Sequence, residues 1–259
     1  MHLVRFFKWR KLQIEVEKAH PLSPTVPLPW GPQILWSHND YLHLQPLTRA
    51  LANNCMFVEV DGYVPRDAHG QFLVAHDYTT VQEGNTLDSL YLAPLRNAPP
   101  TRPLLLVIDP KNLAPCGGEK LVERAAAHLG AARVPAWVNI MLTHNSAASR
   151  ARSALVADGR VDNWCSSLDA PAALVPVISG DFNSFFAWGD DERGLLTTIR
   201  AMALQARSRG KYLRFWAMGS GAATREEWVR RARTLRTCGD NVLIGYDTGW
   251  QLDALLRLE

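Results

Sequence analysis

The feature that most constrains the fold of this chain is a repeated alternation between two hydrophobic patterns. Short runs rich in β-branched and aromatic residues, typical of buried strands, alternate with longer segments whose apolar residues recur at helical spacing. The strand-like runs are ILWSHND, MFVEVDGYV, LLLVIDPK, WVNIMLTHN, LVPVISGDF, YLRFWAM and VLIGYD. The helical segments are 46–54, 118–130, 145–159, 190–210, 224–239 and 250–259. Strand followed by helix, repeated in this way, predicts parallel strands joined by crossover helices.

The length of the chain favours a closed barrel over an open sheet. A chain of 259 residues has the size of one TIM-type (β/α) barrel, an α/β fold whose active sites lie at the carboxyl ends of the strands. We therefore expect seven or eight parallel strands, of which the eighth has no clear signal. A further run, QFLVAHD at 71–77, follows the turn-like RDAHG and predicts a hairpin beside the second strand rather than a strand of the barrel.

The first 32 residues are predicted to stand outside the barrel. Residues 20–32, HPLSPTVPLPWGP, carry five prolines, which remove backbone donors and favour an irregular linker. We therefore predict an N-terminal extension with a proline-rich linker over 1–32 and a single barrel domain over 33–259. The basic and aromatic residues of the extension suit peripheral contact with a membrane surface, and packing against the barrel is the alternative.

Charge and cysteine content argue against several classes of function. The net charge of +3 is too small to indicate a nucleic-acid surface. The four cysteines form no CxxC pair, which argues against a zinc knuckle and predicts reduced thiols in an intracellular protein. No apolar run in the sequence approaches the roughly 20 residues that a membrane-spanning helix needs.

Two carboxylates interrupt the second apolar run. In MFVEVDGYV, Glu59 and Asp61 share one face of the strand, because side chains alternate across it. Their repulsion in a barrel interior calls for a neutralising cation, and a divalent metal with oxygen ligands is the simplest one. We expect Mg²⁺, with Ca²⁺ as an alternative. The competing interpretation is a strand end that is open to solvent or paired with Arg or Lys.

Other runs end in ionisable residues in the same way. LLLVI leads directly into Asp109, with Lys111 on the same strand face. His38 ends the first run, and His76 ends the apolar part of the hairpin. Because the carboxyl ends of barrel strands gather at one mouth, two histidines beside three carboxylates favour an acid/base pair over isolated structural residues. His144, at the end of the fourth strand, is a weaker candidate.

The order of these residues resembles that of the phosphatidylinositol-phospholipase-C-like (PLC-like) phosphodiesterase superfamily. This superfamily includes glycerophosphodiester phosphodiesterases and the spider-venom type of phospholipase D. Within it, the chain most resembles the altered-inheritance-of-mitochondria protein 6 family, through the segments SHNDY, VEVDGYV, TLDSLYLAPL and LRFWAM.

The resemblance implies a role for each candidate residue. His38 and His76 match the two catalytic histidines. Lys111 matches a substrate-binding lysine near the phosphate, and Trp216 matches a substrate-binding aromatic at the barrel mouth. The residues that match magnesium ligands are Glu59, Asp61 and Asp109.

The implied activity is that of a metal-dependent phosphoric diester hydrolase, or phospholipase, with one histidine as base and the other as acid. The substrate that the resemblance implies is a phospholipid or a glycerophosphodiester. Attack by water gives a linear phosphate, whereas attack by a hydroxyl of the substrate is an intramolecular phosphotransfer that gives a cyclic phosphate. Two alternatives are a zinc-dependent barrel hydrolase that uses His144 and a catalytically silent barrel that binds lipid headgroups.

Overall fold

The computed structural model of the protein describes residues 2–19, 26–33, 35–65, 70–100, 102–111, 118–143, 156–182, 192–216 and 224–258. Its strands are β1 (Leu35–Ser37), β2 (Phe57–Tyr63), β3 (Leu73–Val74), β4 (Leu104–Pro110), β5 (Val138–Leu142), β6 (Val156–Arg160), β7 (Val177–Asp181), β8 (Tyr212–Trp216) and β9 (Val242–Tyr246). Its α-helices are α1 (His2–Lys18), α2 (Thr48–Ala52), α3 (Ala93–Asn97), α4 (Gly118–Ala131), α5 (Trp164–Asp169), α6 (Glu192–Arg207), α7 (Arg225–Arg236) and α8 (Gly249–Leu256). The described residues form two compact units, 36–158 and 1–35 with 159–259. Cys55, Cys165 and Cys238 are free thiols.

In the unit of residues 36–158, β2 pairs in parallel with both β1 and β4, and β4 pairs in parallel with β5. The apolar residues Phe57, Val58 and Val60 of β2 are inaccessible to solvent, and so are residues 104–108 of β4. Burial on both faces is typical of parallel strands that are covered on each side. Acidic residues within β2 therefore lie where the fold otherwise excludes charge.

The predicted hairpin is confirmed. β3 pairs antiparallel with the end of β2, where Gly62 lies opposite Val74. The ring of Phe72 approaches Gly62 so closely that a Cβ there would lie 2.5 Å from Phe72 Cε1, so the contact requires glycine. The amide of Ala75 donates to the carbonyl of Asp61. His76, the next residue, is therefore held beside the carboxylates of β2.

The helix predicted over 145–159 is wrong at its C-terminal end. Residues 156–160 form β6, which pairs in parallel with β5; residues 144–155 lie outside the described part of the chain. This is the eighth strand, for which the sequence carried no clear signal. The segment VADGR has a single β-branched residue, so its hydrogen bonds to β5, rather than its local propensity, make it a strand.

The other unit is also built on parallel strands, in which β8 pairs with β7 and with β9. α6 packs on β8, α7 packs on β9, and α8 packs on α7. α1 packs against α5 and α6 in this unit, with Leu12 and Val16 buried. The boundary at residue 32 and the membrane contact of the extension stay predictions. Within the described ranges, no helix is both long enough and apolar enough to cross a membrane.

Gln205 of α6 holds the end of α1 in this unit. Its Nε2 donates to the carbonyl of Val16 at 2.8 Å and to that of Ala19, and its Oε1 accepts from the indole of Trp164 at 2.9 Å. The last carbonyls of a helix lack partners within the helix. Because Gln205 is buried, its bonds to them face little competition from water, and they stabilise the last turn of α1.

Gln205→Ala is expected to lower the free energy of unfolding by about 1–3 kcal/mol, because buried carbonyls and an indole N–H lose their partner. Hydrogen exchange of the amides in residues 12–19 should rise more than exchange in β8. Chemical denaturation and exchange mass spectrometry measure the two effects. Gln13→Ala is the control, since Gln13 makes only an exposed 3.5 Å bond to Arg10 among its side-chain hydrogen bonds in the described residues. Equal exchange in wild type and Gln205→Ala would contradict the expectation.

Candidate metal centre

Three carboxylates from two neighbouring strands meet in the unit of residues 36–158. Glu59 and Asp61 lie two positions apart on β2 and therefore share one face. Asp109 of β4 lies directly across from Asp61 in the parallel register. One oxygen from each of the three lies within 4.8 Å of the others. We call Glu59, Asp61 and Asp109 the carboxylate cluster.

Lys111 supplies positive charge to this cluster. Its Nζ lies 2.6 Å from Asp109 Oδ2 and 3.1 Å from Asp61 Oδ1. Burial raises the pKa of Asp61, and the ammonium of Lys111 counteracts that rise. Burial also acts to lower the pKa of Lys111, but the two carboxylates outweigh it and raise that pKa. Pro110 does not remove Lys111 from the strand register, since the Lys111 amide donates to the carbonyl of Gly62 at 2.9 Å.

One oxygen of each carboxylate accepts a hydrogen bond from an uncharged donor. The indole Nε1 of Trp36 donates to Glu59 Oε2 at 2.5 Å. The hydroxyl of Tyr41 donates to Asp61 Oδ2 at 2.9 Å. The hydroxyl of Thr143, just after β5, donates to Asp109 Oδ1. These bonds fix how each carboxylate is turned without neutralising its charge, as outer partners of metal ligands commonly do.

Trp36 and Tyr41 differ in how deeply they are buried. Trp36 is fully buried and stacks on Phe57, with ring centroids 5.6 Å apart. Tyr41 lies at the edge of the site, where burial and the neighbouring Asp61 raise the pKa of its hydroxyl. The phenol therefore stays protonated and remains a donor to Asp61.

The two histidines follow two different strands, β1 and β3, which both pair with β2. His38 follows β1, and its Nε2 lies 4.0 Å from Glu59 Oε1. His76 follows β3, and its Nε2 lies 4.0 Å from Asp61 Oδ2. The other ring nitrogen of His76 lies 3.1 Å from the Asp77 carboxylate, which accepts hydrogen bonds and does not donate them. A proton on Nδ1 would satisfy this contact and leave Nε2 facing the cluster.

The loop of residues 39–47, which follows His38, is held by the buried carboxylate of Asp40. Ser37 Oγ donates to Asp40 Oδ1, and the Leu47 amide donates to Asp40 Oδ2, both at 2.6 Å. Burial raises the pKa of Asp40, although these two bonds act in the opposite direction. The Asp40 side chain thus joins the two ends of the loop. His38 lies in the chain between Ser37 and Asp40, which bond to each other.

The carboxylate cluster fits a hard divalent cation. Mg²⁺ and Ca²⁺ take oxygen ligands, and three carboxylates from adjacent strands supply such ligands at one point. The partial neutralisation by Lys111 leaves the cluster anionic overall. Zinc sites in proteins favour histidine or thiolate ligands. His144, the histidine of the zinc alternative, lies outside the described residues.

Trp216, matched by resemblance to an aromatic of the mouth, lies at the end of β8 in the other unit. It is half-buried and in register with Asp181 of β7. Its substrate-binding role stays a prediction.

The sequence did not reveal the three neutral donors to the carboxylates, Trp36, Tyr41 and Thr143, because tryptophan, tyrosine and threonine are ordinary residues of strands and strand ends. The available signal was position: Thr143, like Asp109, stands where an apolar run ends.

Comparisons with known proteins give a family match over part of the chain and a likeness in fold. Residues 30–100 match the family of AIM6-like phosphodiesterase domains. No curated protein matches the chain significantly. Among solved structures, the chain is similar to a glycerophosphoryl diester phosphodiesterase from Parabacteroides distasonis, with a TM-score of 0.52 and 13% identity, covering 95% of this chain and 92% of that chain. This likeness confirms the predicted fold class, a TIM-type barrel of parallel strands with helices.

The fold and the family match together support the class of PLC-like phosphodiesterases. Over residues 30–100, the family match confirms the resemblance to the AIM6 family that was drawn from the sequence. The matched residues 30–100 contain both histidines and the two carboxylates of β2. The family match supports a phosphoric diester hydrolase.

Trp36→Phe is expected to weaken the affinity for Mg²⁺ by about 10–100-fold, because Glu59 loses the donor that orients it. Isothermal titration calorimetry with Mg²⁺ measures this affinity without any substrate. Trp164→Phe is the matched control, since Trp164 is also fully buried and its indole also donates to a side-chain oxygen, that of Gln205. An equal loss of affinity in both variants would mean that the effect is one of stability alone.

Lys111→Met is expected to make the stability of the metal-free protein more sensitive to pH. Because burial raises the folded-state pKa of Asp61, the stability linked to this group is present at low pH and is lost as pH rises through the raised pKa. Removing Lys111 raises that pKa further, so the loss extends to higher pH. In EDTA at pH 7, we expect the variant to be about 1–3 kcal/mol less stable than wild type.

Denaturation in EDTA between pH 4 and pH 8 tests this expectation, and the deficit of Lys111→Met should shrink toward pH 4. Added Mg²⁺ should restore much of the lost stability. Lys11→Met is the control, because the Lys11 and Glu15 side chains form a more exposed pair at 3.6 Å. A deficit that is the same at every pH would contradict the electrostatic role of Lys111.

Proposed function

We propose that the protein is a metal-dependent phosphoric diester hydrolase that works by acid/base catalysis with His38 and His76. The observation that carries the proposal is the carboxylate cluster, with an imidazole nitrogen 4.0 Å from Glu59 and another 4.0 Å from Asp61. Cleavage of a phosphodiester needs a charge that binds the phosphoryl oxygens and two groups that move protons. The carboxylate cluster would hold the cation that supplies this charge, and the two imidazoles would transfer the protons.

The cation is held by the carboxylate cluster in this proposal, and Mg²⁺ is the preferred ion. A bound divalent ion would neutralise the phosphoryl oxygens and favour the charge that develops on them. Trp36, Tyr41 and Thr143 keep the carboxylates turned toward it. Lys111 adds positive charge on the side of Asp61 and Asp109.

The two histidines perform the proton transfers. One removes the proton of the attacking hydroxyl, and the other protonates the departing alcohol. Asp77 holds the His76 ring in the tautomer that presents Nε2. The attacking group is water, which gives a linear phosphate, or a neighbouring hydroxyl of the substrate, which gives a cyclic one. The proposed substrates are phospholipids and glycerophosphodiesters.

His38→Ala and His76→Ala are each expected to lower kcat by about 10²–10⁴, the usual contribution of a general acid or base. Binding of Mg²⁺, measured by calorimetry, should stay within a few-fold of wild type, because neither ring is proposed as a ligand. His128→Ala is the control: His128 lies on α4, where burial lowers its pKa. Turnover within tenfold of wild type in either His38→Ala or His76→Ala would overturn the assignment.

The substrate and the metal are tested together by a screen of phospholipids and glycerophosphodiesters in Mg²⁺ and in EDTA. Phosphorus NMR separates cyclic from linear products. Activity that requires Zn²⁺ and fails with Mg²⁺ would favour the alternative zinc hydrolase. Binding of lipid headgroups with no turnover of any diester would favour the silent barrel.

A further inference from the structure

We propose that Leu42, Leu44 and Tyr78 form an apolar rim that inserts into a lipid surface and presents a phosphodiester lipid to the catalytic site. The inference rests on the proposed function and names the preferred substrates as lipids that are held in a membrane or a micelle. It assigns membrane contact to the loop beside His38 rather than to the N-terminal extension.

The rim stands out because the unit of residues 36–158 otherwise hides its large apolar side chains. Among its described residues, the exposed large hydrophobic side chains are Leu42 at 64%, Leu44 at 99% and Tyr78 at 74%. Single exposed leucines are common on protein surfaces. Here, however, every one of the three lies within six residues of His38 or within two residues of His76.

The rim is joined to the site by direct contacts of neighbouring residues. Tyr41, which precedes Leu42, donates to Asp61 Oδ2, and His76 Nε2 lies 4.0 Å from the same oxygen. The segments that carry Leu42 and Tyr78 therefore converge on one carboxylate. Tyr78 also packs edge-on against Tyr63 at the end of β2, with centroids 5.7 Å apart.

The loop of residues 39–47 is built to keep Leu42 and Leu44 exposed. Asp40 bonds to Ser37 and to the Leu47 amide and closes the base of the loop. Within the loop, the amides of Leu42 and His43 donate to the carbonyls of Asn39 and Asp40. Leu47 is buried at the end of the loop, whereas Leu44 near its middle is exposed. A loop closed in this way presents Leu44 outward instead of letting it collapse onto the core.

A lipid is the partner whose phosphate suits the carboxylate cluster with its cation and whose acyl chains suit the apolar rim. The cluster with its cation binds an anionic phosphodiester, and the rim next to it offers apolar side chains that gain free energy in an apolar medium. A phospholipid at an interface places its phosphate next to its acyl chains. A glycerophosphodiester in solution has no acyl chain and leaves the rim in water.

The test is co-sedimentation of the full-length protein with vesicles of phosphatidylcholine, in EDTA so that no turnover is required. Uncharged vesicles and 0.5 M NaCl suppress binding by the basic residues of α1. The Leu42→Ser/Leu44→Ser variant should bind the vesicles about tenfold or more weakly than wild type. The matched control is Leu174→Ser/Leu204→Ser, whose leucines are 42% and 53% exposed in the other unit; it should bind like wild type.

Wild type that does not bind, or a double variant at 42 and 44 that binds as well as wild type, overturns the rim. Size-exclusion chromatography gives a further contrary outcome: a wild type that elutes as a dimer and a variant that elutes as a monomer. Leu42 and Leu44 of the wild type would then contact a second copy of the chain instead of a lipid. These outcomes are separate from the proposed function. That function is tested by turnover of soluble glycerophosphocholine in Mg²⁺, which the Leu42→Ser/Leu44→Ser variant should retain.

Discussion

The parallel pairing of β2 with β4 places Asp61 directly opposite Asp109, with Glu59 on the same face of β2. Glu59 and Asp61 are buried in a strand whose other residues are apolar. Negative charge concentrated in this way is unfavourable unless positive charge lies close to it. The rest of the site follows from that requirement: Lys111 meets it in part, and the oxygen-rich geometry suits a divalent cation that would meet the remainder.

The neutral donors around the cluster have a different task from that of the charges. Trp36, Tyr41 and Thr143 each bond to one oxygen of one carboxylate, and a neutral donor orients an anion without cancelling it. Orientation and charge are thus controlled by different residues. The hydrogen bonds of Asp40 to Ser37 and Leu47 have a further role, since they hold together the two ends of the loop that carries Tyr41 and the exposed Leu42 and Leu44.

The strength of the local signal decides which elements the sequence predicts. The strands β2 and β4 and the helices α4, α6 and α7 all have clear hydrophobic periodicity, and each was predicted close to its observed bounds. β6 was not predicted, because VADGR lacks the β-branched residues that mark strands and becomes one only by pairing with β5. The hairpin was predicted from the turn-like RDAHG, although the contact between Phe72 and Gly62 was not.

The sequence by itself determined which residues carry ionisable groups at the ends of apolar runs, and the period of two within a strand already placed Glu59 and Asp61 on one face. It also carried the order of residues on which the resemblance to the PLC-like phosphodiesterases rests. Only the tertiary structure decided the distances, because strand register and the path of each loop depend on contacts between residues far apart in the chain. The bonds of Trp36 to Glu59 and of Thr143 to Asp109 span 23 and 34 positions, and local patterns carry no information over such separations.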